Sequence, residues 1–210
     1  MYIYIKRIID GIFSFAGLLV LFPLMVVCAI LIKLNSKGPV FFIQQRVGFN
    51  EKVFTIIKFR TMRVSKNDLE TDKDRLTTIG KILRRSSLDE IPQLINILKG
   101  DMSFIGPRPL PVQYLTWYTK DERKRHNVRP GISGLAQING RNNLSWNEKF
   151  QYDIFYVNNI SFKNDLIIFF KTIIKVFNRS DVVVRTENDG EIDFDVLRKR
   201  EGSVKKNDYI

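Results

Sequence analysis

The stretch GIFSFAGLLVLFPLMVVCAILI, residues 11–32, carries no charged side chain. Wound as an α-helix it would run about 33 Å, close to the hydrocarbon thickness of a bilayer. It reads as a membrane segment and not as a cleaved leader, because it is long, shows no clear small-residue cleavage site and continues into Lys33 and Lys37. Basic residues flank it on both sides, Lys6 and Arg7 before it and Lys33, Lys37 and Arg46 after it. Both ends therefore favour the cytoplasmic side. Pro23, at the middle of the run, removes a backbone hydrogen bond and favours a kink. A re-entrant helical hairpin satisfies both observations. A kinked spanning helix is the alternative, since prolines are tolerated in membrane helices.

The remaining composition narrows what this segment is attached to. The chain has 210 residues, 44% of them hydrophobic, enough for one globular domain with its own core. The net charge is +12; residues 179–210 hold seven Lys/Arg against eight Asp/Glu, so residues 1–178 carry +13. A basic body suits nucleic acid, anionic headgroups or phosphorylated small molecules, and the membrane segment favours the last two. Cys28 is the only cysteine and His126 the only histidine. A disulfide framework, a Cys- or His-cluster zinc site and a conventional serine triad are thereby excluded.

Outward from the membrane segment, VFFIQQRVGFNEKVFTIIKFRTM (40–62) alternates in two stretches separated by GFNEK, the pattern of a strand pair. Lys58, Arg60 and Arg63 leave it. Residues 64–78 are polar and contain Asp72 and Asp74, a D-x-D spacing that nucleotide-sugar glycosyltransferases use to hold a metal and that solvated loops also show. Further on, GDMSFIGPRPLP (100–111) fixes Arg108 between two prolines, a stiff turn presenting one guanidinium. Residues 112–127 read as a helix ending in a solvated charged face, DERKRHN. RPGISGLAQINGRNN (129–143) combines glycines with Arg129, Arg141 and Asn142, as phosphate-cradling loops and plain turns both do. Two helices are expected over 146–178, the second presenting an apolar side to lipid and lysines to headgroups, or else packing in the core. A charge-mixed tail with a turn at 188–190 closes the chain.

Between these lies LRRSSLDEIPQLINILKG (83–100), in which Ile91, Leu94, Ile95 and Leu98 fall on one helical face and Gly100 supplies a stop. Ser87 and Glu90 have capping-box spacing, but Pro92 would then break the ladder; a cap at 89–91 keeps it in the first turn. Asp89 and Glu90 are thus expected at a positive helix mouth beside Arg84 and Arg85, where phosphate is attracted. An ionised carboxylate there can attack phosphorus or hold Mg2+.

KRIID (6–10), KFRTM (58–62), SLDEIPQLINILKGDMSFIGPRPL (87–110) and RPGISGLAQINGRN (129–142), in this order, resemble the bacterial sugar transferases, small monotopic polyprenyl-phosphate phosphoglycosyl transferases. The resemblance covers about residues 3–180. It implies transfer of a sugar 1-phosphate from a UDP-sugar to polyprenyl phosphate with release of UMP, initiating glycan assembly. Asp89 would be the covalent nucleophile, and Glu90 would bind Mg2+ or move a proton. Mg2+ would be the cofactor, with Asp89 and Glu90 as its ligands. Arg84, Arg108 and Arg141, and less directly Lys58 and Arg129, would meet the phosphates. It also favours the re-entrant helix, broken at Pro23, in the cytoplasmic leaflet of the bacterial inner membrane, with no nucleic acid among the partners. Family members place a serine before that proline; this chain has Phe22, which has no hydroxyl for the freed carbonyl.

The expected fold is α+β and mainly helical, with a re-entrant membrane helix (1–36), a catalytic domain (37–180) containing the small hairpin and interfacial helices, and a charged tail (181–210). Two other readings stand beside the transferase: a metal-dependent glycosyltransferase using Asp72 and Asp74, and a non-catalytic basic membrane scaffold.

Overall fold

A computed structural model describes residues 1–65, 70–140, 143–178 and 193–202. The first element, α1, spans Tyr2–Asn35 and contains Pro23; it is long and apolar enough to cross a membrane by length and composition. Its buried residues, Lys6, Asp10, Ser14, Cys28 and Ile32, follow helical spacing along one stripe. Leu18, Leu21 and Met25 fill the middle of that stripe. The opposite side, including Phe13, Leu19, Val20, Phe22 and Val27, is exposed.

This stripe seats α1 on the rest of the chain over its whole length. Near its start, Lys6 donates to Asp165 at 2.6 Å, and Arg7 donates to the carbonyls of Ile97 and Leu98 at 2.7 and 2.9 Å. Both carbonyls lie in the last turn of a later helix, where the Ile97 oxygen also accepts from the Gly100 amide at 3.0 Å. Asp10 accepts from the Phe104 amide at 3.3 Å. Near its other end, Cys28 and Ile32 pack with Phe59 and Leu83. Both ends of α1 thus rest on one body.

The alternating stretches form an antiparallel hairpin, β1 (Phe41–Val47) and β2 (Val53–Phe59), in register from Phe41 opposite Phe59 to Val47 opposite Val53. Asn50 and Glu51 take positive φ in the connection, and Arg123 pins the Glu51 carboxylate through both oxygens at 2.8 Å. The short helix α2 (Asp72–Arg75) and α3 (Thr78–Arg85) follow, then α4 (Gln93–Lys99), ended by Gly100 at φ 94°. A two-stranded parallel sheet joins β3 (Ser103–Ile105) to β4 (Gly131–Ser133). The helices α5 (Leu135–Asn139), α6 (Trp146–Asn158) and α7 (Phe162–Asn178) complete the body, and α8 (Phe194–Glu201) packs back onto it. The two helices expected over 146–178 are α6 and α7. The turn expected at 188–190 lies outside the described residues.

Three local expectations are corrected. Residues 112–127 are not one helix but two 3-10 segments, Val112–Trp117 and Glu122–Asn127. The break places Tyr118, fully buried, among Phe150, Phe194 and His126. The charged run DERKRHN is not a solvated face, because Glu122, Arg125 and His126 are buried. Arg125 is neutralised by Asp153 of α6 at 2.8 Å, and Glu122 by Arg198 of α8. Finally, α4 is shorter than expected and presents Leu94, Asn96 and Ile97 inward while Leu98 is exposed. Pro92 is its N-cap, so the face is counted from Gln93.

Candidate active site

The segment carrying the acidic pair is set by its neighbours on both sides. Ser87 adopts the left-handed region at φ 57°, which costs a non-glycine residue about 1 kcal/mol. A single 3-10 turn, Leu88–Glu90, follows it. The capping box does not form, since Ser87 makes no side-chain cap hydrogen bond. Nor do the carboxylates sit at an α-helix mouth: the proline at the N-cap has no N–H to give, and α4 starts only at Gln93. Their electrostatic surroundings come from side chains.

Lys58, at the end of β2, donates to Glu90 Oε1 at 2.6 Å, and both Arg108 NH groups reach the same oxygen at 3.4–3.5 Å. Burial opposes ionisation of Glu90, but these two cations overcome it and hold the carboxyl at about 2. Burial also lowers the Lys58 ammonium from its ordinary value, against the pull of Glu90. Asp89 behaves oppositely. Burial first, then the negative charge of Glu90, push it up to about 6, against Lys58, Arg84 and Arg108. Among the described residues its carboxylate has no hydrogen-bond or ion-pair partner. One acid is thus locked and the other is left unpaired.

Two supports align these groups. Asn96 of α4 is buried, accepts from the Ile57 amide at 3.1 Å and donates to the Thr55 carbonyl at 2.7 Å. It extends the free edge of β2 like a further strand, tying α4 to the strand that carries Lys58. Thr61 accepts from Arg84 Nε at 2.9 Å. A Cβ at Gly80 would lie 1.9 Å from the Thr61 carbonyl, so only glycine lets α3 approach closely enough.

The Arg108 loop is held through its carbonyls, since its prolines offer no N–H. Pro107 accepts from the Gly131 amide at 2.9 Å, Arg108 from Arg125 at 2.7 Å, Pro109 from Arg46 at 3.4 Å and Leu110 from the Val47 amide at 3.1 Å. Replacing Arg125 with Met is expected to loosen this loop and lower turnover at the site roughly 10- to 100-fold, on the order of one to three kcal/mol for a misplaced charged contact. Steady-state kinetics of the folded variant check this.

Lys58, Arg84, Asp89, Glu90 and Arg108 all line one open cleft of about 1210 Å³. Arg129 does not: its Nε donates to the Gly100 carbonyl at 2.8 Å and its guanidinium lies over Phe49. Arg141 lies outside the described residues, and Pro23 is far along α1 among apolar side chains. Of KFRTM, Lys58 enters the site directly, while Phe59 fills the core and Arg60 fastens Ser36 and Lys37 at 2.7–2.9 Å. Asp74 is taken up in a capping box with Thr71, and Asp72 faces Arg75 at 3.6 Å. No group of three acidic, Cys or His side chains suited to a metal occurs among the described residues. Burial and the neighbouring arginines lower His126 to about 3, leaving it a neutral core residue.

Sequence does not single out Asn96, Arg125 or Asp153, and it marks Arg46 only as a basic flank of the membrane segment. The signal for Arg46 was the strand alternation itself, because Phe42 pairs with Lys58 and Phe42, Gln44 and Arg46 share a face. The other three carry no local signal, since the contacts that place them, Asn96 with Ile57 and Arg125 with Asp153, span 39 and 28 residues.

The chain is 52% identical over 148 residues to the uncharacterized sugar transferase EpsL of Bacillus subtilis, covering 69% of this chain and 73% of that protein. It is 42% identical to a UDP-glucose:undecaprenyl-phosphate glucose-1-phosphate transferase of Klebsiella pneumoniae, over 82% of this chain and 40% of that protein. A UDP-N-acetylgalactosamine-undecaprenyl-phosphate N-acetylgalactosaminephosphotransferase of Aeromonas hydrophila is 40% identical, over 82% of this chain and 44% of that protein. The chain therefore spans less than half the length of these last two relatives. Residues 1–179 match the sequence pattern of one family throughout, and the chain belongs to the bacterial sugar transferases.

Proposed function

We propose that the chain transfers a sugar 1-phosphate from a UDP-sugar to polyprenyl phosphate, releasing UMP. The observation that carries this reading is the asymmetry of the acidic pair: Glu90 is held by Lys58 and Arg108, while Asp89 lines the same cleft without a hydrogen-bond or ion-pair partner among the described residues. An Asp89 oxygen attacks the β-phosphorus of the donor, and the bond from that phosphorus to the bridging oxygen breaks, so that the electron pair leaves with UMP. The sugar phosphate is then held as an acyl phosphate. A phosphate oxygen of the lipid attacks the same phosphorus, the bond to Asp89 breaks, and the carboxylate is restored. The bond from sugar to oxygen is never broken. Lys58, Arg84 and Arg108 are supplied to a transfer in which stabilising phosphoryl charge is the main catalytic demand. Arg84 uses only Nε within the fold, and its terminal NH2 groups have no partner among the described residues.

The donor set also fits Mg2+. Among the described residues Asp89 is unpaired and the contacts of Glu90 all fall on Oε1, leaving Oε2. One or two carboxylates completed by substrate phosphates is a usual magnesium arrangement. Bound there, the ion would offset charge on the diphosphate.

The placement of the site follows from α1. A helix crossing the bilayer would carry one of its ends about 30 Å away from a body on one side. Contacts of Lys6 and Arg7 at one end and of Cys28 and Ile32 at the other with the same body support a helix that keeps both ends on one side of the membrane, as a re-entrant helix does, although α1 runs through Pro23 without the expected break. Exposed Phe162, Leu166, Phe169, Phe170 and Ile173 on α7 add an apolar surface suited to lipid. Cysteines replacing Tyr4 and Lys37, in a Cys28→Ala background, are expected to react with an impermeant thiol reagent only from the cytoplasmic side. Labelling from opposite sides would establish a spanning helix.

The reaction itself is tested by incubating the full chain with Mg2+, undecaprenyl phosphate and UDP-glucose or UDP-N-acetylgalactosamine. UMP and a lipid diphosphosugar are the expected products. Release of UDP would identify an ordinary glycosyl transfer instead.

A further inference from the structure

Arg46, like Arg84 in the same cleft, lacks the partners that the other inward-facing guanidiniums have. Arg125 has Asp153, Arg123 has Glu51 and Arg198 has Glu122; Arg60 has no acid but places both NH2 groups on the Ser36 and Lys37 acceptors at 2.7–2.9 Å. Arg46 lines the catalytic cleft and has no carboxylate partner among the described residues. Its NH2 donates to Gln44 Oε1 at 2.5 Å, its NH1 reaches Pro109 O only at 3.4 Å, and its buried Nε, like that of Arg60, has no hydrogen-bond partner among the described residues. Burial, and then the nearby charge of Arg108, lower its pKa to about 10. A largely desolvated cation beside a second cation, in an open cleft, is balanced most directly by an anion from outside the fold.

Its surroundings indicate what kind of anion. The same strand brings exposed Phe42 and Ile43 into the wall of the cleft, and Arg46 shares a strand face with Phe42 and Gln44. Lys58 and Arg108 are already engaged with Glu90 Oε1. We infer that Arg46 forms a phosphate-monoester subsite of the cleft, distinct from the Lys58–Glu90–Arg108 cluster. Two reactants present such a group, the prenyl phosphate acceptor and the departing UMP. The inference deepens the sugar-phosphate-transfer reading and rests on it for the class of ligand.

The experiment reads binding without turnover. Calorimetry on the full chain in detergent micelles compares UMP, farnesyl phosphate and farnesol, for the unaltered protein, Arg46→Gln and Arg46→Lys. Arg46→Gln is expected to weaken one of the two phosphates at least tenfold while leaving the other within about twofold. Farnesol binding should be unaffected, and Arg46→Lys should recover part of the loss. A selective loss for farnesyl phosphate assigns the subsite to the acceptor; a selective loss for UMP assigns it to the nucleotide. Equal losses for both would make Arg46 a brace of the Pro109 loop and overturn the inference, as would no loss for either. If Arg46→Gln does not fold, Arg46→Lys decides alone: a loss of more than about threefold confined to one phosphate supports the subsite, and any other result overturns it. Failure of the unaltered chain to release UMP from a UDP-sugar would count against the transfer reading, and would leave this binding comparison intact.

Discussion

Asp89→Asn is expected to lower turnover by about 10⁴-fold or more, with little change in folding. The two side chains have the same shape, and Asp89 has no hydrogen bond or ion pair among the described residues whose loss could destabilise the chain. What changes is the oxygen that would attack phosphorus: an amide oxygen is a poor nucleophile and cannot form an acyl phosphate that restores itself. Glu90→Gln contrasts with it. That substitution removes the charge that pairs Lys58 and Arg108, so a smaller loss of turnover should come with a disturbed site. Initial rates of UMP release by the two variants, each shown to unfold thermally near the unaltered chain, separate the roles. Near-normal turnover in Asp89→Asn would remove Asp89 from the chemistry.

Asp165→Ala has the largest expected effect on stability. Asp165 is 7% exposed and accepts from three donors: Lys6 at 2.6 Å, Tyr2 OH at 2.6 Å and Tyr156 OH at 2.7 Å. The first two lie on α1 and the third on α6, so one carboxylate of α7 fastens the start of the apolar helix to the body. Truncation leaves a buried ammonium without its counter-charge, and breaking such a pair on one side typically costs about 3–5 kcal/mol. In a chain of this length that corresponds to a fall of roughly 6–20 °C in Tm. Replacing both partners, Lys6→Met with Asp165→Leu, should recover much of it, because the unpaired charge is then gone. Thermal unfolding in detergent micelles checks both. A fall no larger in Asp165→Ala than in the double variant would show that the pair does not hold α1.

How much of this could be read from sequence depended on whether the determinants were local. The hairpin was legible because alternation and the GFNEK break are local, and α6 and α7 because their periodicity is sustained. The charged run at 121–127 misled for the opposite reason. Arg125 and Glu122 are buried only because Asp153 and Arg198, 28 and 76 residues away, neutralise them. The parallel pairing of Ser103–Ile105 with Gly131–Ser133 joins segments too short to show alternation. At the site, Asp89, Glu90, Lys58, Arg84 and Arg108 were identified through motifs, and the fold brings all five to one cleft. Their electrostatic partners were misassigned. A helix dipole was expected, whereas Pro92 delays the helix and Lys58 and Arg108 carry the charge. Arg129 belongs to a conspicuous glycine-rich motif, yet its donors hold Gly100 and its face lies on Phe49, a structural use that the motif alone does not reveal.

The central claim is that Asp89 becomes covalently phosphorylated by the sugar phosphate. It is tested most directly by mixing the full chain with Mg2+ and a UDP-sugar that it turns over, omitting the lipid acceptor, quenching in acid and measuring the intact and peptide masses. The expected result is a mass increase of one sugar phosphate on the peptide containing Asp89, lost when undecaprenyl phosphate is added before the quench and absent in Asp89→Asn. UMP release and lipid product from a chain that never carries this adduct, or that carries it on another residue, would contradict the assignment.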